Sequence, residues 1–312
     1  MSGPAGAATG AMAGDRGYSR SYRASVASNH GREVASHAQS TMAIEASDGH
    51  RFELLTRIPE RPRRSLLWLP ALGVAARHYL PLADALAARG VAVFLHEWRG
   101  HGSSSLRAGR DCDWGYRELL TLDLPASEAA IAAATPGLPR IAGGHSLGGQ
   151  LAACRLGLDP AACDALWLAG SGAPYWRAFP RPQRLVLPLA YRALPWLAAR
   201  AGSLPGRRIG FGGNEARGVM HDWAGTALSG RYATGSLGDL EPRMATAAVE
   251  LRTVLFARDW LAPATSLQHL ASRFPRARIA GTILDDAALG VRADHFAWMK
   301  SPAPVAAWFQ PL

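Results

Sequence analysis

A chain of 312 residues, 48% apolar and 19% charged, fits one large α/β domain with an insertion, or two ordinary domains, and excludes a disordered or fibrous protein. The formal charge of +10 rests on arginine, Lys300 being the only lysine. With no nucleic-acid-binding motif beside it, that charge excludes nucleic acid as an expected partner, while anionic substrates or a membrane face remain open to it. The cysteines, Cys112, Cys154 and Cys163, are odd in number and lack metal spacing. They read as reduced thiols of a cytoplasmic protein without a bound metal. No apolar run reaches the roughly 20 residues of a membrane-spanning helix. The nearest, Leu185 to Ala199, is broken by Pro188, Arg192 and Pro195, so a membrane contact would be peripheral. Nothing in the sequence specifies an oligomeric state.

Residues 1 to about 41 are rich in Gly, Ala, Ser and Arg, the composition of a disordered extension, and they lack the apolar stretch of a signal peptide. From Met42 to Ala46 and from Phe52 to Ile58 two short strands flank a Ser47-Asp48-Gly49-His50 turn, a hairpin pattern. Ser65 to Pro70 is an apolar strand of the kind buried on both faces. A helix follows from about Ala76 to Arg89 and stops at Gly90. Val91 to His96 is the next strand, and the loop Glu97 to Ser103 turns on two glycines. A helical region from about Trp114 to Thr135 carries an interruption at Pro125. The strand ending in Ile141-Ala142, the helix to Leu158 and the strand Ala165 to Ala169 continue the α/β alternation, which implies parallel crossovers. From about Pro174 to Met244 the chain is dense in Pro, Gly, Arg, Trp and Tyr and lacks strand-like runs. It reads as an insertion across the sheet, with Leu185 to Ala199 helical in pieces. The core resumes with the strand Leu251 to Ala257 and a helix from about Pro263 to Arg273. The strand Ala277 to Ile283 and a closing helix from about Phe296 to Phe309 complete a domain over 42–312.

The most informative residues are Gly144-His145-Ser146-Leu147-Gly148, a G-x-S-x-G motif set between a strand and a helix. A serine hydroxyl is a weak nucleophile. It acts when a tight turn exposes it to a base and to amides that can receive an oxyanion. The chain order Ser, Asp, His then nominates Asp259, just past a strand, as the orienting acid and His295, after the last strand, as the base. Asp285, Asp286 and Asp294 are rival acids. Asp294 adjoins His295, where side chains diverge, and reads as a helix cap. His145 should point away from Ser146. The oxyanion donors would be the backbone amides of Leu147 and of Leu72, with Ala71 as the alternative to Leu72.

With these residues the chain resembles the α/β-hydrolase family from about Met42 to Leu312. The G-H-S-L-G-G elbow, the R-G-H-G-S loop at Arg99 to Ser103 and the late Asp and His carry the likeness. It is most similar to lysophospholipase-like and carboxylesterase-like members, including predicted hydrolases with an insertion after the sixth strand. The resemblance implies a mostly parallel sheet with helices on both faces and a lid insertion at about 174–244. It further implies a serine hydrolase that cleaves carboxylic esters, lipid-like esters or thioesters among them, of a small-molecule acyl substrate through an acyl-enzyme on Ser146, without a cofactor. Tyr175, Trp176, Trp196 and Trp223 are candidates for an apolar substrate pocket. Acyl transfer or peptide hydrolysis on the same residues, or non-catalytic binding of a hydrophobic ligand, are the alternatives. Two departures stand out: Pro70-Ala71 replaces the usual His-Gly before the oxyanion residue, and Trp98 occupies a turn position that is small or acidic in many relatives.

Overall fold

The computed structural model describes residues 40–310. The extension expected over 1 to about 41 lies outside the described residues, apart from Ser40 and Thr41, which open the first strand. Eight strands form one sheet: β1 (Ser40–Glu45), β2 (Arg51–Arg57), β3 (Arg64–Leu69), β4 (Val91–Leu95), β5 (Arg140–His145), β6 (Ala165–Ala169), β7 (Glu250–Phe256) and β8 (Arg278–Leu284). Their spatial order is β1-β2-β4-β3-β5-β6-β7-β8. Only β2 runs against its neighbours, pairing antiparallel with β1 and β4. The remaining pairs are parallel.

The side-chain period of two in the central strands separates two cores. Leu67, Leu69, Leu166 and Leu168 face one layer, together with Ile131 of α2 (Leu124–Ala134), Leu151 of α3 (Leu147–Leu158) and Leu270 of α6 (Ala264–Ala271). Leu66, Trp68 and Trp167 face the other, against Leu82 and Leu86 of α1 (Leu80–Ala87) and Phe309 of α7 (Ala303–Phe309). Helices thus cover both faces of the sheet, which is why its central strands are apolar throughout rather than alternating.

Three expectations about helices need correction. The region before β5 is not interrupted at Pro125; helix runs from Tyr116 to Ala134, with a π turn at Leu119–Asp123 placed just ahead of the proline. The wider i→i+5 spacing accommodates a residue that has no N–H to give. Leu185 to Ala199 is likewise not broken into pieces, because α4 (Gln183–Ala201) is one helix with Pro188 and Pro195 inside it. Its buried Tyr191, which donates to the Pro174 carbonyl at 2.7 Å, and its packing on α5 (Arg217–Ser229) outweigh the propensity penalty. The closing helix, conversely, is split into a 3-10 turn at Ala297–Lys300 and α7, with Pro302 between them.

The chain from Gly170 to Val249 leaves the sheet between β6 and β7 and carries α4 and α5. Two-residue antiparallel pairings within it, Leu204–Pro205 with Asn214–Glu215 and Ala233–Thr234 with Gly238–Asp239, are too short to betray themselves in composition.

A buried polar cluster ties the sheet edge to the π turn. The Arg99 guanidinium donates to both oxygens of Asp123, at 2.7 and 2.8 Å, and reaches Asp48 at 2.8 Å. His50 bonds Asp123 and Ser104, at 3.0 and 2.9 Å. Burial alone would raise the Asp123 pKa, but the bonds from His50 and Arg99 outweigh it and hold the carboxyl below its ordinary range.

His96, at the end of β4, is fully buried beside this cluster, and burial pushes its pKa down to about 4. The unfolded chain, with this histidine near 6.5, takes up the proton first. Stability that is present at higher pH is therefore lost as the pH falls from about 6.5 toward 4, by up to about 1.4 kcal/mol per pH unit. In urea unfolding followed from neutral to mildly acid pH, His96→Gln should lose less stability than wild type over that interval.

Candidate active site

Ser146 has φ 52° and ψ −119°, the only positive φ of a non-glycine residue among the described residues. A side chain in this region is strained, and strain of this kind persists only where surrounding structure fixes it. The neighbours do so. The Ser146 amide bonds the Ala169 carbonyl on β6 at 3.2 Å, and Ser171 Oγ donates to the Ser146 carbonyl at 2.7 Å. Two glycines make the turn compact enough. A Cβ on Gly144 would lie 2.4 Å from the Gly148 carbonyl carbon, and one on Gly148 only 2.0 Å from the Leu69 carbonyl oxygen. No L side chain fits either place, so α3 begins directly on the ends of β5 and β3.

His295 lies in the loop after β8 and, although distant in sequence, meets Asp259 beyond β7. Its Nδ1 is 2.7 Å from Asp259 Oδ2, and the two side chains are 7% and 0% exposed. Asp259 Oδ1 accepts from the Leu261 and Ala262 amides, at 2.9 and 3.2 Å. The carboxylate therefore has both oxygens engaged and a fixed orientation. The rival acids are occupied elsewhere. Asp294 accepts from the Phe296 and Ala297 amides, at 3.0 and 2.8 Å. Asp285 caps the turn Asp286–Leu289, and Asp286 pairs with Arg258 at 2.9 Å.

The loop after β3 is held in a way the sequence did not disclose. Trp98 Nε1 donates to the Pro70 carbonyl at 2.9 Å, and the Ala71 amide donates to Tyr79 Oη at 3.0 Å. These two groups belong to a single peptide bond, so two side chains fix one plane and with it the Cα of Ala71, the residue before Leu72. The Ala71 amide is thus already engaged by Tyr79, whereas the Leu72 side of the loop borders the cavity described below.

Tyr79 Oη is also 2.8 Å from His145 Nδ1, and since the hydroxyl already accepts from Ala71 it can donate to this nitrogen. His145 is fully buried, and its ring centre lies 4.6 Å from that of His295. Burial, reinforced by the neighbouring His295, pushes the His145 pKa well below its ordinary value. It therefore stays neutral at neutral pH.

Ser146, His295, Leu72 and Leu147 line one cavity of about 430 Å³. Its other walls are mainly apolar, among them Phe179, Leu187, Tyr191, Leu194, Phe211 and Trp223, while Gln150 is a further polar group and no lining side chain is charged. Of the four aromatic residues expected around a pocket, Trp223 lines the cavity and the other three do not. Tyr175 packs on His269, with ring centres 4.8 Å apart. Trp176 donates to the Leu228 carbonyl at 3.2 Å, and Trp196 stands in solvent. Composition finds aromatic residues in an insertion but not the face each one takes. Gln150 was open to inference, since it follows Ser146 by four residues and so shares its side of α3. Trp98 and Tyr79 carried no comparable signal.

The chain matches the family model described as serine aminopeptidase, S33 (Hydrolase_4), over residues 60–222. No curated protein matches it. Among solved structures it is similar to DcsB in complex with its substrate analogue, at 13% identity and a TM-score of 0.58, over 87% of this chain and 97% of that one. An esterase from Thermogutta terrifontis with malate bound aligns at 15% identity and a TM-score of 0.56, over 86% and 95%. The thioesterase domain from the curacin biosynthetic pathway aligns at 17% and 0.55, over 86% and 98%. At these identities the likeness is one of fold.

Proposed function

We propose that this protein, which belongs to the α/β-hydrolase superfamily as a member of the serine aminopeptidase S33 family, is a serine hydrolase of carboxylic esters or thioesters with apolar acyl groups. The observation that carries the reading is the apolar cavity shared by Ser146 and by a His295 already bonded to a buried Asp259. His295 takes the Ser146 proton as Oγ attacks the acyl carbonyl, and Asp259 orients the ring and stabilises the imidazolium. The Leu72 and Leu147 amides receive the oxyanion. His295 returns the proton to the leaving alcohol or thiol, giving an acyl-Ser146. Water activated by His295 then releases the acid. The side chains named suffice for these steps, and the reading assigns no cofactor.

An aminopeptidase must hold the substrate's α-ammonium, and desolvating that cation without a carboxylate is costly. The cavity lining offers none, which favours a neutral, apolar acyl group over a free N-terminus. Acyl transfer uses the same first half-reaction with another acceptor than water. The segment 174–244 serves as a lid whose α4 forms one wall of the cavity. We place the protein in the cytoplasm, a reading supported by its three unpaired cysteines.

A fluorophosphonate probe should label the wild-type protein and leave Ser146→Ala unlabelled, with turnover reduced by roughly 10⁶. A folded wild type that resists the probe would instead make the protein a non-catalytic ligand binder. Asp259→Asn should lower kcat by about 10⁴ through loss of the histidine's orientation, whereas Asp294→Asn should retain most of the activity; the opposite ranking would move the acid role. Trp98→Phe and Tyr79→Phe release one end each of the 70–71 peptide plane. Each should lower kcat by about 10- to 100-fold with little change in KM. An equal change in KM with kcat intact would assign these residues to substrate binding instead.

A further inference from the structure

Helix α4 is apolar on two opposite sides. Leu187, Tyr191 and Leu194 face the cavity, whereas Leu185, Val186, Leu189 and Trp196 are 66%, 61%, 69% and 63% exposed. At 100° per residue, Leu185, Trp196 and Leu189 fall within about 40° of one another, forming one stripe along the helix. A contiguous exposed apolar stripe of this kind marks an interaction surface. Three more exposed apolar side chains, Ile209, Trp260 and Phe296, also line the cavity, so they stand at its mouth.

Charge identifies what covers this face. Residues 174–213 contain Arg177, Arg181, Arg184, Arg192, Arg200, Arg207 and Arg208, and not one aspartate or glutamate. All seven arginines are exposed, and none is ion-paired among the described residues. Arg200 instead lies over the Trp196 ring, at 5.8 Å from its centre. On α4 itself Arg192 and Arg200 flank the apolar stripe, each about 40° from its centre, and a second copy of the chain set on this face would bring these cations against their own kind. An anionic lipid surface neutralises them and takes up the leucine, valine and tryptophan side chains between them.

We infer that α4 docks the protein on anionic lipid surfaces, with the mouth of the Ser146 cavity facing the lipid so that an acyl chain enters without crossing water. The binding itself is independent of catalysis; only the delivery of a substrate rests on the hydrolase reading above.

The test is co-sedimentation of the full chain, carrying Ser146→Ala so that lipid is not consumed, with vesicles of phosphatidylcholine alone or mixed with phosphatidylglycerol. Binding should be at least about tenfold stronger to the mixed vesicles and should weaken as salt screens the arginines. Leu185→Ser/Leu189→Ser should lower it by about tenfold, while an otherwise wild-type enzyme with these two changes keeps its turnover of a short, water-soluble ester. Three results would overturn the inference: no binding to mixed vesicles, binding that the double variant leaves intact, or a dimer in sedimentation that the double variant dissociates. Retention on a lipid-free polyanion together with no vesicle binding would also overturn it, in favour of a purely ionic partner. Failure of the hydrolase reading is separate, since it shows as absent ester turnover and probe labelling whatever the vesicles report.

Discussion

The close approach of the elbow to the end of β3 is the constraint on which the site depends. With no Cβ at Gly144 or Gly148, α3 starts against the backbone of Leu69 and Pro70. This brings the amide after Ser146 and the loop after β3 to one side of the sheet. Any side chain at residue 148 would force the helix and the strand end apart and so separate the Leu147 amide from the loop after β3. The strain at Ser146 is tolerable because the strands on either side of it hold the turn. Its own amide is pinned to β6, and its carbonyl is bonded to Ser171. Convergence at the mouth of a parallel sheet is where open α/β folds place ligands.

Around this contact, polar groups are satisfied by long-range partners. The peptide linking Pro70 and Ala71 is bonded at its carbonyl by Trp98 and at its N–H by Tyr79. Tyr79 in turn meets His145, whose ring packs on His295. One continuous set of contacts therefore runs from the loop after β3 to the histidine after β8. The departures from the usual pattern at Pro70, Ala71 and Trp98 make physical sense together. Without a glycine before residue 72 the loop is less adaptable, and an indole donor takes over the task of fixing it.

Much of the fold was legible because periodicity and punctuation act locally. Apolar runs bounded by turns mark seven of the eight strands of the main sheet to within a residue or two, while β5 runs on to His145, three residues past the Ala142 expected as its end. Of the residues nominated by the Ser, Asp, His order, Ser146 and His295 line one cavity and Asp259 bonds His295. The misreadings have a common origin. Local rules applied alone break the helices at Pro125, Pro188 and Pro195, yet a π turn absorbs the first and tertiary packing overrides the other two, while Pro302, inside a helix expected to run unbroken from Phe296 to Phe309, does break it. The pocket aromatics failed for a related reason. The orientation of Tyr175, Trp176 and Trp196 is set by partners such as His269 and Leu228, far away in the sequence. The clamp on the 70–71 peptide was invisible because nothing in Trp98 or Tyr79 distinguishes a hydrogen-bond donor or acceptor from an ordinary core residue.

Helix α4 and the chemical groups beneath it are held by different physics. Ser146 and Asp259 follow strand ends locked by the backbone ladder, and His295 is held by its bond to Asp259, whereas α4 is short of two amide donors and relies on Tyr191, Ala198 and their neighbours packing against α5. Substitution at Leu187 or Leu194 changes the bore of the cavity without touching a strand end. On the hydrolase reading proposed above, a change of acyl preference needs substitutions in this one wall alone and leaves Ser146, Asp259 and His295 where they stand.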